Sequence, residues 1–450
     1  MIPSLVSLRS SHGLARELVR ATIGSAGVRF AGMGMTFMVG VQLARFLGPD
    51  GYGIYGTVMA IVAVLVVCGQ LGLPQLITRE VSARISQHDF SGAKGALVWF
   101  SLSVGVASLV VVLVGFFGFN FWQDGNDTQI SSAFYWSLAL VPLFAVTNLL
   151  ASALRGLHKV VLAQVFDAVL RPMIFASLLL AAFSMLGSLT PERALKLHVV
   201  AASVIVLVCA IMLFFNLPRR VLSAKTTSHV RNWVASAVPM TGTDIVRTID
   251  GHYAVLLLGF TVATHDVGIF RVALASAAFV ALPGSVIAMV ILPYIAKFHA
   301  MRQTQKIQKL AAVSALAAFS ITLIITIVYY IFGQALVKAI FGPSYIASWI
   351  ILVIISLAYT IQAYFGQSAV ILNMSGEERT LTLAFAVALV VAIILSILLI
   401  PVYGAIGIAI SMVISEAIKG VVMWRRASIS LGIDTSVASV FYNLKCRRLC

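Results

Sequence analysis

The sequence predicts an all-α polytopic membrane protein of about twelve transmembrane helices, and three observations predict it. Sixty per cent of the 450 residues are apolar and only 10 % are charged, where a soluble domain carries about a quarter charged residues. The apolar residues gather in runs of about 18 or more, each bounded by polar or turn residues and close to the length that spans a bilayer. Basic residues crowd into alternate connections, the asymmetry that membrane orientation imposes.

Taken in order, the first six spans are expected near 23–44, 55–77, 96–118, 132–153, 161–186 and 197–216. A basic linker at 217–233 follows, then six more spans near 234–259, 269–295, 311–332, 347–370, 381–400 and 404–423. Residues 1–22 scatter Arg9, His12, Arg16 and Arg20 among leucines, without the compact apolar core and small-residue cleavage site of a signal peptide. A basic amphipathic helix on the membrane surface is expected there. The resulting organisation is this segment, an N-terminal six-helix bundle at 23–216, the linker, a C-terminal bundle at 234–423 and a basic tail at 424–450.

The formal charge of +16, from 31 Lys and Arg against 15 Asp and Glu, would suggest a nucleic-acid partner in a soluble protein. Location gives another explanation. One set of connections holds Arg79, Arg84 and Lys94, then Arg155 and Lys159, the linker arginines, Lys297 to Lys309, and Arg379. The opposite set holds only Arg45, Arg193, Lys196, Arg271 and Lys338. The rich set belongs on the cytoplasmic side, and an even number of spans puts both termini there. Anionic membrane lipid is the expected partner of this charge, and no nucleic acid is.

A charge at mid-bilayer costs at least about 2.5 kcal/mol, so each one inside a span is a site candidate. Asp167 and Arg171 stand four apart beside Pro172 and can pair within their helix. Asp244, Arg247 and Asp250 recur every third residue, followed by His252. They can neutralise one another, and a spare acid among them can take a proton or sodium ion. Arg29 has no acid within a helical turn; it either snorkels to headgroups or, with Arg171, Arg247 and Arg271, offers guanidinium forks to a phosphate. Glu416 and Lys419 read as an internal pair. Gly24, Gly27, Gly32, Gly34 and Gly40 permit close packing of the first helix. Prolines 74, 142, 172, 239 and 283 fall inside spans and are expected to kink them.

Cys68 and Cys209 lie in spans and Cys446 and Cys450 in the tail, all read as free thiols. The sequence carries no Walker-type phosphate loop, no paired Cys/His metal spacing and no long outward loop for a catalytic domain. No cofactor and no covalent catalysis are expected, and transport must draw on a gradient or on the substrate.

The halves echo each other. Leu47-Gly48 precedes Gly53-Ile54-Tyr55 after the first span, and Leu258-Gly259 precedes Gly268-Ile269-Phe270 after the seventh. Six spans apart, the copies share an orientation, as in a repeat about an axis along the membrane normal, which places the site between the halves.

The block Ala44-Arg45-Phe46-Leu47-Gly48-Pro49-Asp50-Gly51-Tyr52-Gly53-Ile54-Tyr55, with Gly69 to Leu73 and Thr78-Arg79-Glu80 after it, strongly resembles the opening of the polysaccharide transport family. That family lies within the multidrug, oligosaccharidyl-lipid and polysaccharide exporter superfamily. Phe341 to Tyr345 and Tyr403 to Gly407 extend the resemblance over nearly the whole chain. It implies two pseudo-symmetric six-helix bundles around a central cavity. It also implies flipping of a polyprenyl-diphosphate-linked oligosaccharide from the cytoplasmic to the periplasmic leaflet of the inner membrane, for O-antigen, capsule or exopolysaccharide assembly. A polysaccharide polymerase and a chain-length regulator are the implied protein partners. On this reading Arg29, Arg171, Arg247 and Arg271 are the candidate diphosphate or glycan ligands. Asp167, Asp244 and Asp250 are candidates for ion coupling, and Arg45, Gly48, Pro49, Gly53, Tyr55 and Arg79 are the family-like motif residues.

A multidrug or cation antiporter of the same superfamily is the nearest alternative, but intramembrane acids and bases are balanced here instead of acids being in excess. A peptidoglycan-precursor flippase is expected to carry two further helices. A membrane-embedded glycan polymerase needs a large outward catalytic loop.

Overall fold

The computed structural model describes the backbone of residues 4–122, 128–227 and 230–439, with the side chains of those stretches except residues 4–23, 122, 128, 129 and 378. The side chains of Arg9, Arg16 and Arg20, and the tail residues Lys445 to Cys450, lie outside the described residues.

Oil offers no partner to a backbone N–H or C=O, so spanning segments satisfy theirs internally as helices. The described elements are accordingly helical: α1 Ser4–Gln70, α2 Leu73–Ser86, α3 Phe90–Trp122, α4 Thr128–Leu138, α5 Leu140–Gly156, α6 Val160–Val165, α7 Arg171–Leu186, α8 Pro191–Asn216 and α9 Arg219–Ser223. They continue with α10 Val230–Thr261, α11 Thr264–Ala300, α12 Thr304–Ile340, α13 Ser348–Tyr364, α14 Ser368–Met374, α15 Glu378–Tyr403 and α16 Ala405–Leu431. Among the described residues, nine stretches are long and apolar enough to cross a membrane, and α13 with α14, bent by 47°, make a tenth. The first, Gly24–Gln70, has 47 residues, about twice a spanning length, and breaks at Gly48 (φ 68°, ψ 176°). It therefore holds the first two expected spans. Helix α10 carries Asp244, Arg247 and Asp250 and supplies the seventh, which brings the total to about twelve.

Several spans are broken where the sequence suggested continuous helices. Leu71 (φ 51°) and Gly72 (φ 65°) end the second span early. Pro74 then lies in the first turn of α2, and Pro172 in the first turn of α7. At the first turn after a break the missing N–H costs nothing, so Pro74 starts a helix instead of kinking one, whereas Pro172 lies inside the continuous helical stretch Val160–Leu186, beside a π turn. Pro239 and Pro283 do lie inside helices.

The chain packs as two compact units, one of residues up to 46 and 58–245, the other of 47–57 and from 246 onward. In the first unit Leu73, Ile77, Phe100, Leu149, Phe166 and Ile205 form a buried core that draws on α2, α3, α5 and α8. Trp233, at the start of α10, is 1 % exposed and packs tilted against Trp99 and edge-on against Phe100, with ring centroids 5.6 and 5.0 Å apart. Its indole N–H donates to Glu80 at 3.1 Å, while Arg84 donates to the same carboxylate at 3.0 Å and to Asp89 at 2.7 Å. Lys94 fastens the linker by donating to the carbonyls of Leu222 and Ala224 at 2.7 and 3.0 Å. Trp233→Ala should cost about 3–5 kcal/mol by leaving a cavity in this cluster, read as a lower melting temperature of the detergent-solubilised protein.

The second unit buries hydroxyls where helices meet: Thr326 with Thr360 at 2.9 Å and Ser396 with Ser411 at 2.7 Å. Small hydroxyl residues permit close approach and bond across the interface. Outside, the polarity is that of a protein in lipid. Leu102, Val106, Leu109, Val114 and Phe117 of α3 are all about half exposed or more, an apolar face far too extensive for water. The chain from residue 424 is not simply a tail. It stays in α16 to Leu431, after which Thr435, Ser436 and Val437 are buried and Val437 N–H donates to the Tyr364 carbonyl at 3.0 Å. That bond satisfies a carbonyl exposed by the break between α13 and α14.

Segment 47–57 packs within the second unit against the start of α11, and the sequence echo becomes a reciprocal contact there. A Cβ on Gly53 would lie 1.8 Å from the Thr264 carbonyl oxygen, and one on Gly268 would lie 2.1 Å from that of Pro49. A shift of 215 residues, the separation of Gly56 and Arg271, carries Pro49 onto Thr264 and Gly53 onto Gly268. The two contacts are therefore each other's image, as a local two-fold axis requires. On that axis Arg271 donates to the Gly56 carbonyl at 2.9 Å, and His265 lies 3.7 Å from Asp50.

Candidate functional site

In the first unit the fifth span is interrupted by a π turn at Phe166–Leu170 that carries Asp167. Pro172, two residues beyond, has no N–H to give the helix, which loosens the ladder at this turn. Arg171 reaches back to Asp167 at 3.0 Å and lies over the Phe144 ring at 4.6 Å. Close by, Phe175 stacks on buried His198 at 4.2 Å. Helix α1 presses on the same turn through Gly32, whose Cβ would lie 2.7 Å from both Cβ and O of Ala168. Gly27 and Gly34 face open space, so tight packing accounts for only part of the glycine pattern. Arg29, one turn before Gly32, is exposed and makes no hydrogen bond or ion pair among the described residues; its charge is felt by Arg155.

The three charges of α10 separate instead of neutralising one another. Asp244, in the first unit, accepts from the Gln75 amide at 2.7 Å. Arg247 is exposed and without hydrogen bond or ion pair among the described residues. Asp250 turns to α16, where Lys419 Nζ lies 3.1 Å from its Oδ2 and 2.6 Å from Glu416 Oε1. The ammonium also lies over the Phe385 ring at 5.3 Å. Lys419 is 6 % exposed, Asp250 13 % and Glu416 15 %. This is the most buried ionic group described in either unit, and the reading of Glu416 and Lys419 as a self-sufficient pair missed its third member. The signal was present, since the triplet Asp244, Arg247 and Asp250 carries one more acid than base.

Of the four arginines singled out by the sequence, two are committed elsewhere. Arg171 is paired with Asp167, and Arg271 is spent on the Gly56 carbonyl and the Tyr52 ring at 5.1 Å. Arg29 and Arg247 keep their guanidinium forks free among the described residues. Among the motif residues, Gly48 makes the helix break, Pro49 and Gly53 make the reciprocal contact, and Tyr55 is buried. Arg45 is exposed, and Arg79 donates to Ser236 at 3.3 Å.

The second unit also holds a cavity of about 300 Å³. Val280, Ala281, Ala363 and Met423 give it apolar walls, while Ser285, Thr322, Tyr359, Gln362 and Gln367 give it a polar lining. Gln367 is anchored by donating to the Gly284 carbonyl at 3.0 Å. The described residues hold no group of three or more His, Cys, Asp or Glu fit for a metal ion.

Broken apolar helices with paired charges in their interiors, and two arginines without an ion pair among the described residues, mark a multi-pass membrane protein. The fold is that of the MOP superfamily. It matches an inward-facing multidrug resistance MATE family transporter with TM-score 0.71 at 16 % identity, over 90 % of this chain and 98 % of that one. It matches the lipid II flippase MurJ, in an inward closed conformation, with TM-score 0.70 at 12 % identity, over 91 % and 87 %. A MOP superfamily transporter from Pyrococcus furiosus, described as having a binding pocket of reversed polarity, matches with TM-score 0.64 at 16 % identity, over 91 % and 95 %. More particularly, the chain belongs to the family described as polysaccharide biosynthesis protein, which matches residues 18–299. A probable low-salt glycan biosynthesis flippase, Agl15 of Haloferax volcanii, is 22 % identical over 421 residues, 91 % of this chain and 82 % of that protein.

Proposed function

We propose that this protein is a flippase that moves a polyprenyl-diphosphate-linked oligosaccharide from the cytoplasmic to the periplasmic leaflet of the inner membrane. Both termini are cytoplasmic in this reading, on the side where the basic connections gather. The family and the glycan-flippase relative support the lipid-linked glycan. The observation that carries the reading is the uneven commitment of intramembrane charge. Asp167, Asp250 and Glu416 have cationic partners and Asp244 has an amide donor, while Arg29 and Arg247 pair with no carboxylate among the described residues. Two intramembrane guanidiniums are therefore left to meet a ligand, which suits a diphosphate better than a cationic drug. Guanidinium forks bind phosphate oxygens in pairs and hold the headgroup, while the prenyl chain stays in lipid. O-antigen, capsule or exopolysaccharide units are the cargo class, handed to a polymerase and its chain-length regulator.

Replacing Arg29 or Arg247 with alanine should reduce surface glycan restoration in a flippase-deficient strain. A charge-assisted hydrogen bond contributes about 1.5–3 kcal/mol, so roughly 10- to 100-fold is expected for each. Lysine should rescue only in part, because it keeps the charge but loses the fork. Full restoration by every variant would reject the phosphate clamp.

A further inference from the structure

Buried between α10 and α16, Asp250 and Glu416 share the single ammonium of Lys419. With both carboxylates ionised, the group carries one negative charge in excess within the membrane interior, a state that low-dielectric surroundings oppose. Asp250 Oδ1 is buried and accepts no hydrogen bond. One turn along α10, Tyr253 is 5 % exposed, and its hydroxyl lies near Ser411 and within electrostatic reach of Asp250 and Glu416. From α13, Tyr359 lies within electrostatic reach of Glu416, Lys419 and Asp250, and it also lines the cavity of about 300 Å³. Helix α15 contributes the apolar ring of Phe385. Among the described residues, these are the titratable and charged groups that face the site from the helices packed around it.

We infer that Asp250, Glu416 and Lys419 form a proton-binding site loaded through the cavity that Tyr359 lines, with Lys419 standing where a metal cation would otherwise lie between the carboxylates. The inference rests on the reading of this chain as a transporter and assigns its coupling ion. One proton adds to a carboxylate oxygen of the pair and neutralises the excess charge; no other bond changes. A sodium ion would have to enter beside an ammonium 2.6 and 3.1 Å from the same two carboxylates, where like charges repel. The cavity brings water to within one side chain of the group, because its hydroxyl and amide lining can hold a hydrogen-bonded file.

The test uses the full chain in lipid nanodiscs and needs no glycan. Infrared difference spectra taken across a titration between about pH 5 and pH 9 should show one carboxylic-acid carbonyl band per chain. The band should be lost in Asp250→Asn or Glu416→Gln and be unchanged when potassium replaces sodium. Tyr359→Phe should keep the band but slow its hydrogen–deuterium exchange by at least about tenfold, as loss of a proton relay does. In a cysteine-free background, Ala363→Cys should react with a water-soluble thiol reagent. No protonated carboxyl in the unaltered protein, a band that shifts with sodium, unchanged exchange in Tyr359→Phe, or an unreactive Ala363→Cys would each overturn the assignment. A titrating site in a protein that fails to flip glycan would instead count against the proposed cargo.

Discussion

Gly53→Ala and Gly268→Ala are each expected to leave little folded protein, although a single methyl is added in a helix where alanine is the better residue. At both positions the new Cβ would sit inside a backbone carbonyl of the partner segment, 1.8 Å from Thr264 O and 2.1 Å from Pro49 O. Backbone cannot turn away as a side chain can, so the two segments must separate. Overpacking typically costs 1–3 kcal/mol, and about 3 kcal/mol or more is expected where no rotamer can relieve it. Gly27→Ala and Gly34→Ala are the controls, because nothing lies within 4 Å of an added Cβ there. Melting temperatures in detergent should fall sharply for the first pair and stay level or rise for the second. Equal melting in all four would mean that the reciprocal contact does not hold the segment 47–57 in place. The two-fold relation adds a stricter expectation: the two damaging substitutions should cost similar amounts, since each is the image of the other.

Lys419→Met is the second large effect expected. Methionine fills much the same volume, so packing is kept while two buried carboxylates lose their shared cation. Removing one partner of a buried ionic group typically costs about 3–5 kcal/mol, more than the group itself contributes. Adding Asp250→Asn and Glu416→Gln to the same chain should recover most of the loss, because neutral amides need no counter-charge. A Lys419→Met protein that melts with the unaltered one would show that the carboxylates are already neutral or wet, and the ionic group would lose its structural role. Stability and coupling can thus be separated, since the triple variant is expected to fold but not to titrate.

The positions of the spans were legible because hydropathy over about 20 residues decides solubility in lipid, and no tertiary contact reverses it. Breaks within spans were less so. Gly48 with Pro49 announced a turn, but Leu71 adopts a positive φ that nothing in its side chain favours. Pro172 is read as a kink from sequence, and the structure places it beside a π turn inside the helical stretch Val160–Leu186, an irregularity whose form the sequence does not specify. The pair of Asp167 and Arg171 was legible because its partners are four apart on one helix. The bond from Asp250 to Lys419 spans 169 residues, and only the fold brings them together. Arg271 shows the opposite failure. Its type and place near a span made it a ligand candidate, and only coordinates reveal that the Gly56 carbonyl already holds it.

The central claim, that Arg29 and Arg247 receive the diphosphate of a lipid-linked glycan, is tested most directly by leaflet transfer. The purified chain would be reconstituted in proteoliposomes with a fluorescent polyprenyl-diphosphate oligosaccharide, and the label that becomes inaccessible to an external quencher would be followed in time. The unaltered protein should transfer the lipid, and the Arg29→Ala/Arg247→Ala double variant, folded and correctly inserted, should transfer it at least about 100-fold more slowly. Equal rates for the two, or no transfer above protein-free liposomes by either, would contradict the account.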